Sequence, residues 1–183
     1  MQKFKQFNLY HQIPIMRDKT IDKLYHLFND YKNAEILEIG TGFGYSSLFL
    51  SKHKNIKKII SLEKDVKRFN VAKKWLADNK KIELINISAF DYLPNQLFDC
   101  LIMDGPKRKQ EILFNKFSKF ISDNGFVFID NLNLFQKTNK IMTKNRLNLK
   151  KSVEKFKLFI TNIPNWNVKL FNIDDGFAIV RRK

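Results

Sequence analysis

From Ala34 onward, short apolar runs alternate with stretches whose apolar residues recur at helical spacing. This alternation narrows the fold more than any other feature, because it is the pattern of βαβ units that build a parallel sheet. The runs are AEILEIG, KKIISLE, IELINIS, FDCLIMD and GFVFID. Helical spacing appears in YSSLFLSKH, in Asp65 to Asn79 through Val66, Phe69, Ala72, Trp75 and Leu76, and in Lys107 to Ser122 through Leu113, Phe114, Phe117, Phe120 and Ile121. An earlier helix is predicted over Lys19 to Tyr31, capped by Asp18, within an N-terminal helical segment spanning 1–33. After GFVFID the residues 132–150 are polar and basic without a period, which predicts a long surface loop or a mobile helix entry, and loops of that length are often functional. A helix over Lys151 to Asn162 and two strands joined at a DDG turn complete the pattern.

Length and composition fit one globular domain, 1–183, with 44% hydrophobic residues to build its core. No apolar run reaches the roughly 20 residues of a membrane span, and MQKFKQFNLYHQ lacks the apolar centre of a signal peptide. These features predict a cytoplasmic protein with no membrane partner. Cys100, the only cysteine, lies inside an apolar run and reads as a core residue rather than a reactive thiol. The formal net charge is +16, from 34 Lys plus Arg against 18 Asp plus Glu, a surplus that points to a polyanion such as nucleic acid. An A/T-rich codon bias also inflates lysine, but it raises glutamate with it and so leaves the imbalance of sign unexplained. The basic residues concentrate after the fifth run, where Lys137, Lys140, Lys144, Arg146, Lys150, Lys151, Lys155 and Lys157 face the single acid Glu154. Arg17 and Lys19 extend the candidate nucleic-acid surface, and a solvated basic face without a partner is the plainer alternative.

In an open parallel sheet ligands bind beyond the carboxyl ends of the strands, near the point where strand order reverses. The first run ends in EIGTGFGYSS, where Gly40, Gly42 and Gly44 let a backbone turn approach a ligand closely. The spacing departs from the G-x-G-x-x-G of dinucleotide sites, and no phosphate-binding Lys or Arg lies in the turn. Glu63 closes the second run, where a carboxylate can accept both hydroxyls of a ribose. With Glu38 just before the glycines, a cationic nucleoside cofactor fits better than a pyrophosphate, and S-adenosylmethionine is such a molecule. At the ends of the fourth and fifth runs, Asp104, Asp130 and Asn131 offer oxygen ligands suited to Mg2+, if those strands are neighbours. Otherwise Asp130 and Asn131 merely cap a turn.

These motifs, together with IPIMRDKT near the start and PNW and DDGFAIVRRK at the end, resemble the class I S-adenosylmethionine-dependent methyltransferases of the catechol-O-methyltransferase-like group. Within that group the chain is similar to the bacterial tRNA 5-hydroxyuridine methyltransferases. The resemblance implies a Rossmann-like α/β fold with a mostly parallel seven-stranded sheet, helices on both faces and a C-terminal antiparallel hairpin. It implies that Glu38, Gly40, Thr41, Gly42, Tyr45 and Ser46 surround the methionine part of the cofactor and that Glu63 holds its ribose. Ser88, Ala89 and Phe90 would lie by the adenine, where Ile87 and Ser88 replace the usual Gly and Asp. Asp104, facing both cofactor and substrate, would share a divalent metal with Asp130 and Asn131, and Lys107 matches a lysine that acts as base. Gln110 stands where many relatives carry an aromatic residue. The substrate implied is 5-hydroxyuridine at the wobble position of a tRNA anticodon loop, methylated to 5-methoxyuridine. The other options are a catechol-like small molecule or a non-catalytic RNA-binding domain. Members of the group are often dimers, so a homodimer through the N-terminal segment is one option.

Overall fold

The computed structural model describes residues 1–133 and 143–183. Seven strands form one sheet: β1 (Ala34–Ile39), β2 (Ile56–Leu62), β3 (Ile82–Ile85), β4 (Phe98–Met103), β5 (Ile121–Asp130), β6 (Trp166–Phe171) and β7 (Phe177–Arg182). Their order is β3-β2-β1-β4-β5-β7-β6. The first five pair in parallel, whereas β7 runs antiparallel to both β5 and β6. The expected seven-stranded sheet with a C-terminal hairpin is therefore present. Strand order reverses between β1 and β4, which opens the crevice where ligands of such sheets bind.

Strand apolarity explains the layering. In β1, Leu37 and Ile39 face one layer and Ile36 the other; in β4, Leu101 and Met103 alternate in the same way with Cys100 and Ile102. Strands buried on both faces need helices on both. One face is covered by α5 (Gln110–Phe117) and α6 (Lys144–Thr161), through Leu113, Phe114, Phe117, Val153, Phe156 and Ile160. On the other lie α1 (Gln2–Tyr10), α2 (Asp18–His26) and α3 (Tyr45–Leu50), through Phe4, Ile21, Leu24, Tyr45 and Leu50. The remaining helix, α4 (Val66–Leu76), starts where the Asp65 carboxylate accepts the Arg68 amide at 2.9 Å, a side-chain cap. Among the described residues no helix is long and apolar enough to cross a membrane.

Three boundaries differ from those predicted. Asp18 does not cap a helix: it is the first residue of α2, and its carboxylate is drawn to Lys5 at 2.6 Å. The stretch 107–122 is broken into a 3-10 turn at Lys107–Lys109, then α5, then a second such turn at Ser118–Phe120, and Ile121 already belongs to β5. The last helix starts at Lys144 rather than Lys151, so the basic stretch 132–150 ends in a helix entry, where Thr143 caps α6 by accepting the Arg146 amide at 3.4 Å; residues 134–142 of that stretch lie outside the described residues. Lys144 to Lys150 carry no apolar period, and the helix is anchored further on by Val153, Phe156 and Ile160.

Phe177 anchors the antiparallel edge to the parallel half. It opposes Asp130 in the β5–β7 register and stacks between Phe128 and Phe171, at centroid distances of 5.0 and 4.6 Å. It is fully buried. Phe177→Ala is expected to cost about 3–5 kcal/mol, seen as a lower urea midpoint with an unchanged denaturant slope.

Candidate active site

The crevice at the switch point is built from the glycine turn after β1. Gly40, Gly42 and Gly44 all have positive φ, at 99°, 60° and 94°. At Gly40 the need is also steric, since a Cβ there would lie 2.9 Å from the backbone oxygen of Asp104. The missing side chain lets the ends of β1 and β4 touch, which brings the cofactor turn against the acid that follows β4.

Glu38 sits beneath this turn, with no exposure to water. Its carboxylate accepts hydrogen bonds from the hydroxyls of Ser46, Ser47 and Ser61, the last at 2.5 Å. Ser61 gives its only hydroxyl hydrogen to Glu38, so Thr41 must be the donor in the 2.7 Å contact between those two hydroxyls. Burial pushes the Glu38 carboxyl up, and the three hydroxyls pull it back towards the charged form. Glu38, Thr41 and Ser46 are thus brought together as a scaffold, with Tyr45 buried at the start of α3.

Glu63 is also nearly buried, and its carboxylate accepts the Gly42 amide and the Asp65 amide, each at 2.9 Å. It stands beside the turn at the end of β2, the position a ribose-binding acid requires. Ser88 accepts the Phe90 amide at 3.2 Å, and Lys116 of α5 grips the Ala89 and Phe90 carbonyls at 3.0 and 2.6 Å, holding this loop to the sheet. Phe90 is exposed, as a residue offering a ring to a ligand is free to be.

Asp104, Lys107 and Asp130 meet at the tips of β4 and β5. The register pairs Met103 with Ile129, so the next residues, Asp104 and Asp130, stand side by side, about 5 Å apart in the strand-to-strand direction. The Lys107 amine lies 3.2 Å from Asp104 Oδ1 and 3.0 Å from the Asp130 carbonyl, with its side chain 11% exposed. Asp130 is buried, and burial first, then the neighbouring Asp104 charge, push its carboxyl up to about 7, against the opposing pull of Lys107 and the Asn131 amide. Asn131 turns the chain out of β5 with φ 61°, and its amide donates to Asp130 Oδ1 at 2.8 Å. That bond spans adjacent residues only, the Leu132 amide goes to the Gly176 carbonyl, and the second Asp130 carboxylate oxygen has no hydrogen-bond partner among the described residues. Among the described residues no group of three or more His, Cys, Asp or Glu gathers as a metal site; the set here is two carboxylates and an amide.

The predicted basic residues differ in their surroundings. Arg17 is paired with Asp175 of the hairpin turn at 3.0 Å, and Thr20 binds Asp174 through its amide and its hydroxyl, both at 3.0 Å. Lys19, Lys144 and Arg146 are exposed, while Lys137 and Lys140 lie outside the described residues. Lys144 and Arg146 open α6 beside the Lys107 turn, where Arg108 reaches the Asn145 carbonyl at 3.4 Å. The residues missed in the sequence are Ser47 and Ser61, which complete the Glu38 shell, and Ile13, whose methyl would lie 3.5 Å from a Cβ at Gly42. A lone serine near the end of the apolar run KKIISLE was the available signal for Ser61.

Asp130 ties stability to pH. Its carboxyl holds a proton to about 7 in the fold but only to about 4 in the ordinary carboxyl range, so the unfolded chain releases that proton first. The contribution is full below about pH 4 and is lost as pH rises through about 7. In EDTA the melting temperature of the wild type, relative to Asp130→Asn, is expected to fall by several degrees between those limits. A difference that stays flat across the range would show that Asp130 ionises normally.

The comparisons agree with this geometry. The O-methyltransferase family model matches residues 3–183. A Staphylococcus aureus structure, provisionally named a caffeoyl-CoA O-methyltransferase, superposes with a TM-score of 0.90 at 23% identity, covering 100% of this chain and 91% of its own. An O-methyltransferase from Bacillus cereus in complex with S-adenosylhomocysteine matches at 0.79 and 18% identity, covering 100% and 90%. The O-methyltransferase TomG from Streptomyces achromogenes, involved in tomaymycin synthesis and bound to S-adenosylmethionine, matches at 0.79 and 18%, covering 100% and 88%. With nearly its whole length matched and the glycine turn and strand-tip acids in place, this chain belongs to the class I, S-adenosylmethionine-dependent O-methyltransferase family.

Proposed function

We propose that the chain transfers the methyl group of S-adenosylmethionine to the 5-hydroxyl of 5-hydroxyuridine at the wobble position of tRNA, giving 5-methoxyuridine, with Mg2+ at the strand tips. The observation that carries it is the convergence of Lys107, Asp104 and Asp130 beside the glycine turn. The donor set fits a hard divalent cation: Asp104 and Asp130 crowd two carboxyls into one buried corner, and Asn131 adds an amide oxygen. A bound Mg2+ would lower the pKa of a coordinated hydroxyl and fix its direction. The residues of the chain do the rest. Gly40 to Gly44 and Ser46 present backbone and hydroxyl groups to the methionine end, and Glu63 presents its carboxylate to the ribose. The Lys107 amine, held by Asp104 and the Asp130 carbonyl, would in its neutral form, which a bound cation and a dry pocket favour, take the hydroxyl proton as the oxygen attacks the methyl carbon.

The charge of +16 and the exposed basic start of α6 beside this corner favour an RNA substrate. A splayed-out base could enter the crevice while its flanking phosphates meet Lys144 and Arg146. A small catechol-like substrate is the second reading, favoured by structural neighbours described as caffeoyl-CoA and tomaymycin-pathway enzymes.

Labelled S-adenosylmethionine and hydroxyuridine-bearing tRNA are expected to give labelled nucleoside that requires Mg2+. No label with or without Mg2+ would reject this substrate. Lys107→Met is expected to lower kcat about a hundredfold or more. Charge reversal at Lys144 and Arg146 should weaken tRNA binding and make it less sensitive to salt, while leaving any turnover of catechols unchanged. Mg2+ should raise the melting temperature more at pH 8 than at pH 5, because the ion competes with the proton on Asp130.

A further inference from the structure

We propose that the outward face of α4 is a second phosphate-binding surface, which holds the backbone of the substrate RNA on the side of the crevice opposite α6; the inference rests on the RNA reading above. From Lys64 to Leu76 the chain carries Lys64, Lys67, Arg68, Lys73 and Lys74 against a single acid, Asp65, whose carboxylate is engaged in capping the helix. Ala72 and Leu76 are the buried residues of α4. At helical spacing Lys67, Asn70, Lys73 and Lys74 fall away from those two, and all four are exposed. Among the described residues none of these cations has a carboxylate within salt-bridge distance.

Lysines elsewhere on this half of the sheet are treated differently. Lys57 pairs with Glu35 at 2.7 Å, Lys58 with Glu83 at 2.6 Å, and Lys81 donates to the His53 carbonyl at 2.8 Å. A surface that is merely solvated mixes its signs, as those strands do. The outward face of α4 does not. Like charges gathered on one face repel each other, and a polyanion lying on them relieves that repulsion.

The position suits the same substrate. α4 begins beside Glu63, whose carboxylate accepts the Asp65 amide at 2.9 Å, so its first turn lies on the rim of the crevice. On the far side, α6 begins beside the Lys107 turn, where Arg108 reaches the Asn145 carbonyl. The strands β2 and β5, which precede α4 and α6, stand three strand spacings apart with the crevice between them, roughly 15 Å. An RNA lying across the mouth therefore meets basic groups on both sides while its reacting nucleotide is splayed between them. Contacts of this kind go to phosphates, so α4 supplies affinity and orientation, and the crevice supplies the choice of base.

The test measures binding of hydroxyuridine-bearing tRNA over a salt series. It compares the wild type with three triple variants: Lys67→Gln, Lys73→Gln and Lys74→Gln together; the same three positions changed to Arg; and Lys32→Gln, Lys52→Gln and Lys54→Gln together. The last removes the same charge from exposed positions ahead of β1 and β2, at the opposite end of the strands from the crevice. The α4 glutamine variant is expected to bind about ten- to a hundredfold more weakly at moderate salt, with the slope of log affinity against log salt reduced by about 2 to 3. Its loss of kcat/KM should appear in KM. The arginine variant should bind as the wild type does, and the control triple should lose less than about threefold. Unchanged binding by the α4 glutamine variant, an equal loss in the control triple, or a loss in the arginine variant would overturn the role of α4 while leaving the substrate reading intact. So would a variant that keeps its grip on tRNA but no longer binds vesicles of anionic phospholipid, which would assign the face to a membrane. If the wild type itself neither binds nor labels this tRNA, the substrate reading fails and the inference falls with it.

Discussion

A carboxylate shut away from water, Glu38, fixes the geometry on which the crevice depends. It joins β1 to the start of α3 through Ser46 and Ser47 and to β2 through Ser61, which in turn holds Thr41. Four pieces of chain are thereby tied to one side chain. A buried charge is tolerable only when its lone pairs are occupied, and here three hydroxyl donors occupy them. The glycine turn rests on this knot, with Glu63 accepting the Gly42 amide from the side. The turn cannot drift without unpairing one of two buried acids.

The second constraint is the contact of the turn with β4. Only a residue without a side chain lets the chain at position 40 lie against the Asp104 backbone, so the spacing between cofactor turn and strand-tip acid follows from one missing methyl. From there the parallel register carries Asp104 to Asp130, and the β5–β7 register carries Asp130 to Phe177 and its aromatic stack. The segment after Asp130 is itself fastened to the hairpin turn, since the Leu132 and Asn133 amides donate to the carbonyls of Gly176 and Asp175 at 2.8 and 2.7 Å. The antiparallel edge thus serves the site, by fixing where β5 ends.

Much of this was legible in the chain because strand apolarity and glycine placement act locally. The seven strands, the switch-point crevice and the proximity of Asp104 to Asp130 follow from runs and spacings that tertiary context did not override. What was hidden depends on partners far apart in sequence. Asp18 has the chemistry of a cap, but Lys5 claims its carboxylate. The Arg17–Asp175 pair, which ties the start of α2 to the hairpin turn at the far end of the chain, likewise joins residues no local pattern links. The start of α6 shows no apolar period because its first turns touch little of the core, so only the Thr143 cap marks it. The Glu38 shell was half visible: Ser46 lies in the motif, whereas Ser61 arrives from another strand.

The buried polar groups divide by whether the fold completes their hydrogen bonds. Glu38 is completed by three hydroxyls of the chain itself and acts as scaffold, whereas Glu63 accepts one backbone amide at each oxygen and keeps lone pairs to spare. Asp130 and Gln110 are not completed. Asp130 is buried and faces the Asp104 charge, with only the Asn131 amide and Lys107 opposing, which is why its carboxyl holds a proton so far above the ordinary range. Gln110 receives no partner among the described residues. Asp130 lies across the strand tips from Lys107, and Gln110 opens α5 just after the turn that carries Lys107. A fold that spends its hydroxyls on one set of buried groups and withholds partners from another leaves the second set incomplete.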